Sequence, residues 1–237
     1  MLRLSNVRSG YRGVPVLGGV DLEVGQGHVV AIVGPNGHGK TTLLRTVSGL
    51  VPVSAGEVWF EGRRIDRDPP HRIASLGLVH APQGDLPFAD MTVEQNLLVG
   101  AFRRSAWSSR THRLEEIYSL FPPLRERRRQ RARTLSGGER RMLALGRSLM
   151  SSAKLLMIDE PALGLAPVVV QQVYEKIREI ARAGTSILLA EESLSHLVSL
   201  APQQVCLLEK GLVLRRGTVQ ELLADDEVIG TYLGGVR

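Results

Sequence analysis

The nine residues "GPNGHGKTT" at 34–42 follow the apolar run "HVVAIV" and precede "LLRTVSGL", whose apolar spacing is helical. That order admits few folds. A short apolar run bounded by glycine reads as a strand buried on both faces. The glycines after it let successive backbone N–H groups turn inward on one anion, at the positive end of the next helix. Gly34, Gly39, Lys40 and Thr41 satisfy G-x-x-x-x-G-K-[ST]. A chance match at these four positions arises in about one chain in a hundred of average composition, before the strand and helix are demanded. Lys40 is placed to reach the β- and γ-phosphates of a nucleotide, and the Thr41 hydroxyl to sit on Mg²⁺. Pro35, Asn36, Gly37 and His38 fill the loop; a solvent-facing His38 side chain is expected, a phosphate contact being the alternative.

Around this loop, "LRLSNV", "PVLGGVDLEV", "HVVAIVG" and "GEVWFEG" read as strands, and 39–50 as a helix. From about 92 to 150 a helical period dominates, in "TVEQNLLVGAFRR", "HRLEEIYSLF" and "GERRMLALGRSLM". The β/α alternation returns with "KLLMIDEP", a helix over 167–182, "TSILLAE", a further helix and "QQVCLLEKGLVLRRG". This predicts an α/β fold with a largely parallel core and a helical insertion. With 237 residues, 43% of them apolar, one large domain is expected. Cys206 is the single cysteine, which excludes an intrachain disulfide. No signal peptide is read in "MLRLSNVRSGY", and no apolar run approaches the ~18 residues of a membrane span, so a membrane role would go through a partner. The net charge of +6 gathers in "RERRRQRAR" at 125–133 and "RR" at 140–141. No aromatics interleave to stack on bases, which favours a solvated surface over nucleic-acid binding.

Two further stretches carry chemistry. "KLLMIDEP" at 154–161 is an apolar strand ending in acid. At the carboxyl edge of a parallel sheet Asp159 faces a metal beside the phosphates, and Glu160, one residue on, points elsewhere to polarise a water for attack on the γ-phosphate. "LSGGE" at 135–139 has the S-x-x-E spacing of a capping box through Ser136 and Glu139. The same helix start offers N–H groups to an anion; lacking a lysine, it could complete a phosphate site but not make one.

"GPNGHGKTT", "LSGGE", "LLMIDE" and Gln83 at the end of "LVHAPQ" together resemble, in order and spacing over essentially the whole chain, an ATP-binding-cassette (ABC) ATPase. The resemblance implies the P-loop NTPase ABC fold: an N-terminal antiparallel β subdomain, a mostly parallel central sheet (1–83 and 151–237 as catalytic core) and an inserted helical subdomain, 84–150. It implies ATP and Mg²⁺ as ligands. Tyr11 would stack on adenine, Thr42 contact the α-phosphate side, and Gln83 sense the metal and couple to a membrane partner. Ser136, Gly137, Gly138 and Glu139 would close over the ATP held by a second ATPase subunit, giving a head-to-tail dimer. "FPPLRERRRQRARTLSGGERRMLALGRSLM", "DEPALGLAP" and "YLGG" resemble the second ATPase of branched-chain amino-acid importers. The implied partners are integral membrane permease subunits, another ATPase and, indirectly, a solute-binding protein, on the cytoplasmic face of the cell membrane.

One position departs from the family pattern. Where most ABC ATPases carry a histidine toward the γ-phosphate, "LLAEESLSH" places Glu192. A carboxylate accepts but cannot donate when ionised, so Glu192 is expected to be protonated, to turn away, or to slow hydrolysis; His196 could substitute if the chain bends back. Ala162 and Gly164 in the loop after Glu160 also differ from the usual pattern. The alternatives are a nearly inactive nucleotide-binding partner and a soluble ABC ATPase of DNA repair or translation, whose coiled-coil insertion or second cassette does not fit this length.

Overall fold

A computed structural model describes residues 1–84, 87–225 and 228. The "YLGG" stretch lies outside the described residues.

The chain begins with β1 (Leu2–Tyr11), β2 (Val14–Val24), β3 (Val29–Val33), α1 (Lys40–Val47), β4 (Val53–Phe60) and β5 (Arg63–Arg64). Then come α2 (Pro70–Ser75), β6 (Leu78–Ala81), α3 (Val93–Gly100), α4 (Arg104–Ser108), α5 (Arg110–Leu120), α6 (Pro122–Glu126) and α7 (Gly137–Leu149). The remainder is β7 (Leu155–Asp159), α8 (Pro167–Arg182), β8 (Ser186–Glu191), β9 (Gln204–Glu209), β10 (Leu212–Gly217) and α9 (Val219–Leu223).

Strands β2-β1-β4-β5 form an antiparallel sheet. The second sheet runs β10-β9-β3-β8-β7-β6, parallel throughout except for the β10–β9 pair. Alternation along β3 shows how it is buried. Val29, Ala31 and Val33 face the core shared with the helical stretch, while Val30 and Ile32 face the core shared with the antiparallel sheet and α1. Apolar side chains on both faces are what an all-apolar parallel strand requires. Helix α1 is held between the two sheets by Leu43, Leu44 and Val47, so the phosphate loop at its start is anchored in a packed interior.

The helix expected over 167–182 forms with those bounds, with Pro167 in its first turn, where a missing N–H costs nothing. Two expectations need correcting. The further helix after "TSILLAE" is only a 3-10 turn, Leu194–Leu197, because Pro202 and β9 leave few residues for more. The segment 70–75, not foreseen, folds as α2 behind Pro69 and Pro70. "LRLSNVRSGY" forms one strand, past the predicted end of "LRLSNV", with a bulge at Asn6, whose φ is 47.

Candidate active site

The glycine loop leaves β3 at the carboxyl edge of the parallel sheet, where ligands bind in open α/β folds. Gly34 is there for want of room: a Cβ would sit 2.1 Å from the Leu208 carbonyl oxygen. Gly39 precedes α1 with φ +107, a conformation that disfavours any side chain. The loop borders a cavity of about 260 Å³ lined by Asn36, Gly37, Gly39, Lys40, Thr41, Thr42, Gln83 and Glu160. A larger cavity of about 530 Å³ among α5, α7 and α8 contains none of the glycine loop.

Lys40 is 3% exposed. Its Nζ donates to the carbonyls of Gly34 (2.7 Å) and Pro35 (3.3 Å) and lies 3.1 Å from Glu160 Oε1. Gln83, from the segment after β6, donates Nε2 to Glu160 Oε2 at 2.7 Å. Glu160 has φ +45, and its N–H is held by the Ala190 carbonyl at 3.0 Å. A non-glycine residue in that region stores strain of about 1–3 kcal/mol and clusters at functional sites. The turn brings Glu160 onto the lysine while Asp159, at the end of β7, keeps a different partner. Thr41 Oγ1 donates to Asp159 Oδ1 at 3.2 Å. Burial pushes the Asp159 carboxyl up, and the Glu160 charge adds to the rise against the opposing Thr41 hydrogen bond.

Asp159 Oδ2 is buried with no hydrogen-bond partner, an unmet acceptor beside the Thr41 hydroxyl. These oxygens suit a hard divalent cation. Among the described residues no cluster of three or more His, Cys, Asp or Glu could hold a metal unaided, so such a cation would complete its shell from phosphate and water oxygens.

The remaining predicted residues lie apart from this cavity's lining. Tyr11 is 41% exposed at the end of β1. Ser136 and Glu139 form the capping box of α7, the Ser136 hydroxyl accepting the Glu139 N–H and the Glu139 carboxylate accepting the Ser136 N–H. Gly138 packs on α8, where a Cβ would meet Val169 Cγ1 at 2.6 Å, and Gly137 lies near Leu165. His38, expected to face solvent, is half-buried with Nδ1 enclosed and unpartnered, and its carbonyl accepts the Gly211 N–H. Glu192 is exposed, and His196 turns onto Glu191, its Nδ1 3.4 Å from Oε2. The sequence reading missed Glu191 and Tyr174, which meet in a buried hydrogen bond. A carboxylate at the end of an apolar strand was the available signal.

The family model described as ABC transporter matches residues 17–163. The chain belongs to the ABC transporter family. This ABC ATPase is 38% identical over 235 residues to the high-affinity branched-chain amino acid transport ATP-binding protein BraG of Pseudomonas aeruginosa, covering 99% of this chain and 100% of that one. It is 36% identical over 228 residues to the probable branched-chain amino acid transport ATP-binding protein LivF of Archaeoglobus fulgidus, covering 96% of each. The lipopolysaccharide export ATP-binding protein LptB of Escherichia coli is 30% identical over 235 residues, covering 98% and 97%. A crystal structure of an ABC transporter's ATP-binding cassette in its ADP conformation superposes with a TM-score of 0.85 at 26% identity, covering 99% of both chains.

Proposed function

We propose that this ABC ATPase energises an importer of branched-chain amino acids or related small solutes, from the cytoplasmic face of the cell membrane and through permease subunits. The import branch is supported by 38% and 36% identity to the branched-chain amino acid proteins against 30% to the lipopolysaccharide exporter. Among the described residues no helix is long and apolar enough to cross a membrane, so the pathway for solute belongs to partners.

The single observation that carries the hydrolytic role is the convergence of Lys40, Gln83 and Glu160 at the mouth of the glycine loop. Lys40 and the loop N–H groups bind the β- and γ-phosphates. As a phosphate oxygen takes the ammonium, Glu160 turns to a water, accepts its proton, and directs the oxygen in line onto the γ-phosphorus while the bond to the β-phosphate oxygen breaks. Mg²⁺, when bound, neutralises phosphate charge; Thr41, Asp159 and Gln83 would hold it. Thr42 lies on the α-phosphate side and Tyr11 against adenine. Ser136, Gly137, Gly138 and Glu139, in the 84–150 helical subdomain, close over the nucleotide of a second ATPase copy. A solute-binding protein takes part indirectly, and no nucleic acid is involved.

Glu160→Gln tests this. It keeps the side-chain shape and one acceptor oxygen but removes the base, so phosphate release falls by about a hundredfold or more while ATP binds and holds a dimer on a sizing column. Full turnover by this variant would overturn the assignment.

A further inference from the structure

The end of β8 carries a buried charge that the hydrolytic scheme does not use. Glu191 is 2% exposed. Its Oε1 accepts the Tyr174 hydroxyl from α8. Its Oε2 accepts the Glu192 N–H at 3.3 Å and faces His196 Nδ1 at 3.4 Å. Taking a carboxylate out of water costs several kcal/mol unless its oxygens are satisfied. Here three donors from three places satisfy it: a helix, the next peptide and the 3-10 turn.

The backbone at this point supports the site. The Glu191 carbonyl accepts the N–H of Gly34, the first glycine of the phosphate loop, at 3.2 Å. The Ala190 carbonyl accepts the N–H of Glu160 at 3.0 Å. In the sheet Val33 pairs with Glu191 and Asp159 with Ala190, so the ends of β3, β7 and β8 are in register there. Burial first, then the charge and hydrogen bond of Glu191, and last the Glu160 charge, push the Tyr174 phenol up, so it stays protonated and donating. Helix α8 begins directly after the "ALGL" stretch that follows Glu160.

We propose that Glu191 is a positioning residue for hydrolysis: its carboxylate clamps residues 190–192 to α8 through Tyr174, and so sets the backbone from which Glu160 and Glu192 are aimed. This rests on the ATPase assignment above. The clamp acts on the orientation of the attacking water rather than on nucleotide grip, because its side-chain bonds go to α8, the 3-10 turn and the peptide of Glu192, none of which lines the phosphate cavity.

The test uses the full chain in its assembled transporter, with Tyr174→Phe, Glu191→Gln, Glu191→Ala and, as reference, Glu160→Gln. Tyr174→Phe removes one hydroxyl and lowers kcat by about tenfold, with the Kd for a non-hydrolysable ATP analogue unchanged within about twofold. Glu191→Gln retains one acceptor oxygen, for Tyr174, while its NH2 takes the place of the oxygen that faces the Glu192 N–H, and it keeps more activity than Glu191→Ala. An unchanged kcat in Tyr174→Phe overturns the proposal. So does a loss of kcat and nucleotide affinity in step with a fall in Tm, which would mark a merely structural bond. If Glu191→Ala does not fold, the Tyr174→Phe and Glu191→Gln pair decides alone. Full turnover by Glu160→Gln would instead bring down the assignment of Glu160 as the base, on which this proposal rests, so the two failures are distinguishable.

Discussion

Lys40→Met removes an ammonium that contacts Glu160 and that, in the proposed scheme, binds the phosphates. Nucleotide affinity is expected to fall at least about tenfold, a loss on the order of 1.4 kcal/mol, measured with a fluorescent ATP analogue. Two histidines give pH slopes of opposite sign. His80 is half-buried, with Nδ1 3.2 Å from Ser48 Oγ, and burial plus the Arg45 charge bring it down to about 4 from 6.5. The unfolded chain therefore binds the proton first, and stability is lost as pH falls from 6.5 toward 4, by roughly 3 kcal/mol at the lower end. His80→Gln should flatten that limb in urea titrations at pH 7 and pH 4.5. His196 is raised above 6.5, chiefly by the Glu191 hydrogen bond and then by the charges of Glu191 and Glu192, against partial burial. Its contribution is fully present below 6.5 and is lost as pH rises through the raised value; His196→Ala removes that loss. Lys40, Thr41, Asp159 and Glu160 were legible in the sequence because fixed local spacing places them. The Tyr174–Glu191 bond was not, since it depends on how α8 registers against β8, seventeen residues apart in sequence.

Among the elements, α1 and α7 begin at glycines that do different work. Gly34→Ala pushes a methyl into the Leu208 carbonyl, where backbone cannot give way. Loss of nucleotide binding with a lowered Tm is the expected outcome, read by calorimetry with and without ATP. Ser136→Ala deletes one arm of the α7 capping box and costs about 1 kcal/mol in denaturant unfolding. Strongly patterned pieces, β3, β7 and α8, were readable because one period held from end to end. Short pieces were not. The six-residue α2 has too few turns to show a period, and the 3-10 turn at Leu194–Leu197 looked helical because "SLSHL" carries leucines at three-residue spacing.

At the scale of the molecule, two sheets grip one helix, and each sheet supplies a core face that the other cannot. The stretch at 125–133 fits its solvated expectation: Arg125 pairs with Glu115, Arg127 with Glu139 and Arg133 with Asp90, pairs worth little individually; Arg141 does not, being 4% exposed and donating to the Gly84 carbonyl. Glu192 is exposed on this chain. Glu192→His is expected to raise turnover of the complete transporter, or at least not abolish it, in a phosphate-release assay; complete loss would count against Glu192 standing at the switch position. The contact between Lys40 and Glu160 carries a further consequence. One cation cannot satisfy two anions equally, so under the proposed roles fuel that claims the lysine also sets loose the group that consumes it. Loading and arming are then a single event, and a cassette built this way has little means of burning ATP that it has not first seized.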